Sequence, residues 1–298
     1  GAAAVAALHG PPALGQQVTD TTYRAPVENP LYPPGAGPRV LIDQAHFNAT
    51  DADRYAAAAD MLRRDGYVVE FLNGPISRGA LEPARLLISF IYGSSARRAI
   101  NALRDAEPGR TDFSAFTRAE VAAIRDWIAA GGALLLAVDH EPAPLGANEL
   151  ARALGVRFLD GIAYRDRTAR LTFRRADSTL AEHPITRDIR QVGTFGGSAF
   201  ELERDGQPLL IFGHDVRAWV AADSTEISVA GQLQGAVFTF GEGRVAVFGE
   251  AGMFTAQLNA SGNPMGMNAE IAKENPQFLR NVVHWLTDTA AKDAAPGK

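Results

Sequence analysis

Gly131-Gly132-Ala133-Leu134-Leu135-Leu136-Ala137-Val138-Asp139-His140-Glu141-Pro142 is the stretch whose reading decides the fold. An apolar run without alternation, rising from a Gly-Gly turn and ending at acid, imidazole and proline, fits a strand buried on both faces, the signature of a central parallel strand. Open α/β sheets bind their ligands at the carboxyl edge, which is where this strand would deliver Asp139 and His140.

The neighbouring segments build outward from that strand. Upstream, Thr117-Arg118-Ala119-Glu120 fits a capping box, and the helix it opens carries Val121, Ile124 and Ile128 on one face before stopping at Gly131-Gly132. Arg85 to Tyr92 reads as a strand running into Gly93-Ser94-Ser95, with a loop over Gly109 to Ser114. Arg39 to Asp43 reads as the first strand, followed by Gln44-Ala45-His46-Phe47-Asn48. A helix from about Asp53 to Arg64, stopped by Asp65-Gly66, and a strand from Tyr67 to Phe71 complete a right-handed parallel crossover. Downstream, Ala147 to Leu154 reads as a helix closed by Gly155, and short alternating runs between about 156 and 236 read as a mainly β insertion or extension. Ala236 to Phe240 and Arg244 to Gly249 read as a hairpin around Gly241-Glu242-Gly243, delivering Glu250, and Asn275-Pro276 opens a last amphipathic helix.

The organisation expected is an extended Pro/Gly-rich arm over 1–38, a single α/β domain over 39–288 and a flexible tail over 289–298. The 298 residues, 46% hydrophobic and 21% charged, suit one large domain. A net charge of -5, without a concentrated basic stripe, argues against nucleic acid as partner; the arginines of 157–175 read as a solvated strand pair. There is no cysteine, which removes disulfides, thiolate metal sites and cysteine nucleophiles. No apolar run approaches the ~20 residues of a membrane span. Ala2 to Leu8 fits the apolar end of an export signal, giving a periplasmic or secreted expectation. Nothing in the sequence sets the oligomeric state.

Three expected strands end in acids, Asp43, Asp139 and Glu250, and imidazoles follow two of them, His46 and His140. Gathered at one edge, these five could ligate a divalent metal such as Zn²⁺ or Mn²⁺, or form a metal-free site in which a carboxylate orients an imidazole. Structural roles compete: Asp139 also suits a cap for the helix near Leu145 to Leu154, and Asp43 suits loop amides. Asn48, Tyr92, Gln257 and Asn268 are expected to line the pocket, the last two from the irregular stretch 253–268 that reads equally as lid or pocket wall and as surface loop. His214 is a reserve ligand; His183 and His284 read as structural. Gly196-Gly197-Ser198 lacks the Gly-x-Ser-x-Gly elbow, and Gly241-Glu242-Gly243 is a turn, not a nucleotide fingerprint, so no nucleotide cofactor is expected.

Three blocks carry a family resemblance: Val40 to Asn48, Phe116 to His140, and Gly243 to Phe254. They resemble the class I glutamine amidotransferase-like superfamily, and within it a bacterial branch related to gliding-motility and intraflagellar-transport amidotransferase-like domains. The resemblance spans about Pro38 to Leu286 and implies a flavodoxin-like, mostly parallel sheet with helices on both faces. Where that superfamily places its cysteine nucleophile this chain has Asp139, so thioester chemistry does not carry over, and Gln44 stands where an acid is usual. The functional expectation is an exported hydrolase, possibly metal-assisted, with His140, Asp139, His46 and Glu250 as catalytic groups. The alternative is a non-catalytic domain binding a carbohydrate or another small cell-envelope ligand.

Overall fold

The computed structural model describes residues 17–48 and 52–288. Its centre is a nine-stranded sheet built from β1 (Arg39–Asp43), β2 (Val68–Leu72), β3 (Leu86–Ile91), β4 (Ala133–Val138), β5 (Val156–Phe158), β6 (Phe200–Leu202), β7 (Gln207–Ile211), β8 (Leu233–Phe240) and β9 (Gly243–Phe248). The order is β2-β1-β3-β4-β9-β8-β6-β5, with β7 also paired to β8. The first five in that order run parallel; β8 turns antiparallel through the Gly241 hairpin. This is the flavodoxin-like α/β class expected from the sequence, with an antiparallel extension.

The sheet divides the core. Along β4, Ala133, Leu135 and Ala137 join one apolar cluster while Leu134, Leu136 and Val138 join the other, and every residue of the strand is buried. Both faces therefore need helices. On one face lie α1 (Ala56–Arg64) and α5 (Asn275–Thr287); on the other lie α2 (Gly93–Ala106), α3 (Arg118–Ala129) and α4 (Ala143–Ala153). α3 starts at the expected capping box, where Glu120 N donates to Thr117 Oγ1 and Thr117 N donates to Glu120 Oε2 at 2.8 Å. It ends at Gly131, φ 109°, a conformation that favours glycine, and a Cβ on Gly132 would lie 2.4 Å from the Trp127 ring.

Helix α2 has no counterpart in the sequence reading. Its buried face is narrow, with Ile100 as the one large fully buried residue, and it opens on Gly-Ser-Ser, which reads as a loop. Tertiary cover decides it, because the α3/α4 side of β3 and β4 would otherwise be open.

The segment 156–236 is mainly β. Besides β5 to β7, Gly161–Tyr164, Arg217–Val220 and Glu226–Ser228 form a small antiparallel sheet, and Leu171–Arg174 pairs with Gln191–Thr194. Within the stretch read as lid, pocket wall or surface loop, Ala256–Asn259 is a strand paired between Pro264–Gly266 and Gln17–Thr19 from the arm. No helix among the described residues is long and apolar enough to cross a membrane.

One buried ion cluster ties the arm to the domain. Asp65, with a fully buried side chain, accepts from Arg280 Nη2 at 2.8 Å, His284 Nε2 at 2.5 Å and Leu31 N at 3.0 Å, while Arg280 also donates to the carbonyls of Glu28 and Asn29. His284 thus serves this cluster. Burial pushes the Asp65 carboxyl up, but the bonds from His284, Arg280 and Leu31 outweigh it and hold the group below its usual 3.8. A lowered carboxyl pKa stabilises the fold above the unfolded value, and that contribution is lost as pH falls through the folded value. Asp65→Ala strands a buried arginine and is expected to cost about 3–5 kcal/mol in urea unfolding at pH 7. The gap to wild type should close as pH falls below 3.8.

Candidate functional site

β3, β4 and β9 are parallel neighbours in register, and each ends at a polar residue on the carboxyl edge: Tyr92, Asp139 and Glu250. Asp139 is 4% exposed. Its Oδ2 accepts from Gly93 N, the first residue of α2, at 3.1 Å, and its Oδ1 accepts from His140 N at 2.9 Å. Asp139 therefore serves the N-terminus of α2, not the helix beginning at Ala143. Its carbonyl accepts from Ser198 Oγ at 3.0 Å, and its backbone bridges to Gly197, so the Gly196-Gly197-Ser198 turn staples the β-rich segment to the end of β4.

Glu250 is 1% exposed and its Oε2 has no hydrogen-bond partner. Burial first, and the neighbouring Asp139 second, push its carboxyl well above the ordinary 4.5, against the pull of the Met253, Gly252 and Phe195 amides. Asp139 is raised too, chiefly by burial. Two adjacent buried carboxyls cannot both ionise cheaply, so the pair holds a proton. Gly252 makes room for it: a Cβ there would stand 2.6 Å from Glu250 Oε1.

His140 Nδ1 lies 2.9 Å from the Glu141 carbonyl and 3.1 Å from its Oε2, which places the proton on Nδ1 and leaves Nε2 as the acceptor in the neutral ring. Burial acts to lower its pKa, but the Asp139 and Glu141 carboxylates outweigh it and raise it above 6.5. Glu141 is itself bonded by Arg97 Nη2 at 3.2 Å. Burial works to raise the Glu141 carboxyl, but the bonds and charges of His140 and Arg97 hold it below the usual range.

These groups border a cavity of about 680 Å³. Tyr92, Arg54, Gln17 and Gln257 form one wall, with the Arg54 guanidinium 4.7 Å over the Tyr92 ring, Arg54 Nη1 donating to Tyr92 OH at 2.9 Å, and Tyr92 OH donating to Gln257 Oε1 at 3.1 Å. Arg54 also donates to Gln257. Ile162, Phe195, Trp219 and Met265 supply apolar lining.

The five residues expected to share one centre are separated into two groups. Asp43 and His46 do not border the cavity. Asp43 Oδ1 accepts from Ala45 N at 3.0 Å and lies 2.8 Å from His46 Nδ1, while its Oδ2 accepts from Ser89 Oγ at 2.8 Å. His46 Nε2 lies 3.0 Å from Glu120 Oε1, and the ring stacks on Phe116 at 4.5 Å. Burial opposes protonation of His46, but these two carboxylates raise its pKa, so it acts as a buried strut between β1 and α3. Among the described residues, no group of three or more His, Asp or Glu is arranged to hold a metal ion.

Of the expected lining residues, Tyr92 and Gln257 border the cavity; Asn48 and Asn268 do not. Asn48 Nδ2 donates to the Asp43 carbonyl at 3.2 Å, and Asn268 Nδ2 donates to Asp20 at 2.9 Å and to the Gln257 carbonyl at 3.0 Å, bracing the wall from behind. His183 Nδ1 accepts from Ile185 N, and His214 is exposed. Sequence reasoning missed Gln17, Arg54, Gly93, Arg97, Glu141, Phe195 and Trp219. Only Gly93 carried a readable signal, a glycine directly after a buried strand.

No family model matches the sequence, and no curated protein matches it significantly. Among solved structures, the chain is similar to the N-terminal domain of mmIFT52, at TM-score 0.57 and 15% identity over 84% of this chain and 97% of that one. A cytoplasmic protein from Salmonella typhimurium LT2 aligns at TM-score 0.48 and 16% identity, over 84% and 99% of the two chains. A ThuA-like protein from Bacteroides uniformis ATCC 8492 aligns at 0.46 and 11%, over 85% and 93%. At 15% identity the likeness to the mmIFT52 domain is one of fold alone.

Proposed function

We propose that the cavity at the carboxyl edge is the active site of a hydrolase working by general acid–base catalysis. The observation that carries this reading is the buried Asp139–Glu250 pair bordering the cavity, with Glu250 Oε2 buried and without a hydrogen-bond partner. A polar atom that is buried without a partner costs free energy, and a ligand in the cavity would relieve that cost. Burial first and Asp139 second favour the neutral form of Glu250, the form that can donate a proton. His140 Nε2 takes a proton from water; the resulting hydroxide attacks the substrate, and the leaving group takes its proton from Glu250 Oε2. Asp139 holds the developing imidazolium, and Glu141 orients the ring through Nδ1.

A second reading, a binding domain without turnover, draws on a different observation. Both Asp139 oxygens are occupied by backbone amides at the position where the resembled superfamily has its nucleophile, and the chain has no cysteine. Substrate screening separates the two. Glycosides, esters and amides are offered to the purified chain, and the hydrolase reading requires one to turn over with kcat reduced roughly 100-fold or more in both Glu250→Gln and His140→Ala. Absence of turnover across all three classes would leave the binding domain standing.

Glu250 also predicts a stability signature that does not depend on substrate. A carboxyl whose folded pKa is raised costs no stability below the unfolded value, near 4.5, and progressively destabilises the fold as pH rises from there to the folded value. Glu250→Gln removes that cost. Thermal unfolding should therefore show the variant gaining on wild type as pH rises above 4.5; an unchanging difference would mean that the carboxyl is not raised.

A further inference from the structure

Glu250 shares its lack of a partner with a second buried side chain close by. Gln234, near the start of β8, is 0% exposed, and neither its Oε1 nor its Nε2 has a hydrogen-bond partner in the protein. A primary amide carries two donors and an acceptor, and burying them unpaired costs free energy that a methionine of similar shape would not. Packing alone therefore does not account for a glutamine at this position.

Its place in the fold sets it against Glu250. Gly249 N donates to the Gln234 carbonyl at 2.8 Å, so Gln234 lies across from the end of β9 that delivers the acid. Gly197 measures how near the two side chains come: a Cβ on it would stand 2.6 Å from Gln234 Nε2, 2.6 Å from Glu250 Cβ and 2.0 Å from the Gly249 carbonyl oxygen. Only a residue without a side chain lets the 196–198 turn close over this spot. Glu250 borders the cavity and Gln234 does not, which puts the glutamine behind the acid, where no ligand of the cavity reaches it.

Whatever satisfies Gln234 must therefore fit inside the protein, and the atoms present narrow its chemistry. A cation would suit the two oxygens and be repelled by the amide hydrogens. An anion would suit Nε2 and be repelled by Oε1 and by the adjoining carboxyls. Water donates two hydrogen bonds and accepts two, and it is the group that ordinarily fills buried polar space of this kind.

We infer that ordered water is bound between the Gln234 amide and Glu250 Oε2, and that Gln234 acts through it as a positioning residue for Glu250. Held by Nε2, the water donates to Oε2 from behind, which leaves the proton of that oxygen turned toward the cavity. When the proton is given up, the same donated bond stabilises the carboxylate left behind. The positioning role rests on the active-site reading above. The water site does not, because the two unpartnered side chains call for it whatever the cavity binds.

A crystal structure of the full chain, at a resolution that shows ordered water, tests the site directly. Water should lie within about 3.2 Å of both the Gln234 amide and Glu250 Oε2. Gln234→Met keeps the length of the side chain and removes its polar end, and in that variant the water should be lost. The role is read without substrate from the carboxyl ¹³C resonance of Glu250, assigned by its absence in Glu250→Gln. Loss of a donor to the carboxylate should move its ionisation to higher pH in Gln234→Met. A dry contact between the two side chains in the wild type, or a Glu250 titration unmoved or lowered by Gln234→Met, would overturn the inference. The substrate screen separates it from the hydrolase reading. Water in place and a shifted titration, with no ester, amide or glycoside turned over, keeps the positioning of Glu250 and sinks the hydrolase. Turnover that is lost in Glu250→Gln, beside a dry Gln234, does the reverse.

Discussion

The hydrogen bond from Gly93 N to Asp139 Oδ2 joins the parts of this protein that matter most. It runs between the ends of two adjacent buried strands, and it presents the first turn of α2 to a carboxylate, the charge that a helix N-terminus favours. The same residue receives Ser198 through its carbonyl, so the β-rich segment is anchored at that point as well. With Gly93 lacking a side chain, the His140 ring lies directly over it: a Cβ there would be 3.2 Å from both Nε2 and Cε1. Fold and candidate chemistry therefore share a single junction.

Two carboxylate–imidazole sets occupy the same sheet edge and have opposite fates. Asp43, His46 and Glu120 satisfy one another and their neighbouring amides, and Phe116 covers the ring; nothing is left for a ligand. Asp139 and Glu250 are also buried and His140 is partly so, but they border a cavity and leave an oxygen unpaired. A satisfied polar network stabilises and fixes a fold, whereas an unsatisfied one costs stability and is retained where function draws on it. That difference, and not the residue types, distinguishes strut from site.

Much of the sheet was legible because its strands are physically extreme. Leu86–Ile91 and Ala133–Val138 are buried without exception, so their sequences carry no alternation, and glycine marks one side of each, Gly93 after the first and Gly131-Gly132 before the second. The Thr117–Glu120 capping box was equally legible, being a local hydrogen-bond exchange. The second role of Glu120, as the partner of His46 and Ile76, spans 74 and 44 residues of chain and leaves no local mark.

The sequence by itself determined the α/β class, the strands that reach the carboxyl edge and the presence there of Asp139 and Glu250, since hydrophobic periodicity and turn chemistry are local properties. Only the tertiary structure decided which acids face a cavity, that Gln17 from the arm and Trp219 from the β-rich segment wall it, and that α2 begins at Gly93. The physical reason is that side-chain satisfaction and enclosure depend on what distant segments bring within about 3 Å, a distance that no spacing along the chain encodes.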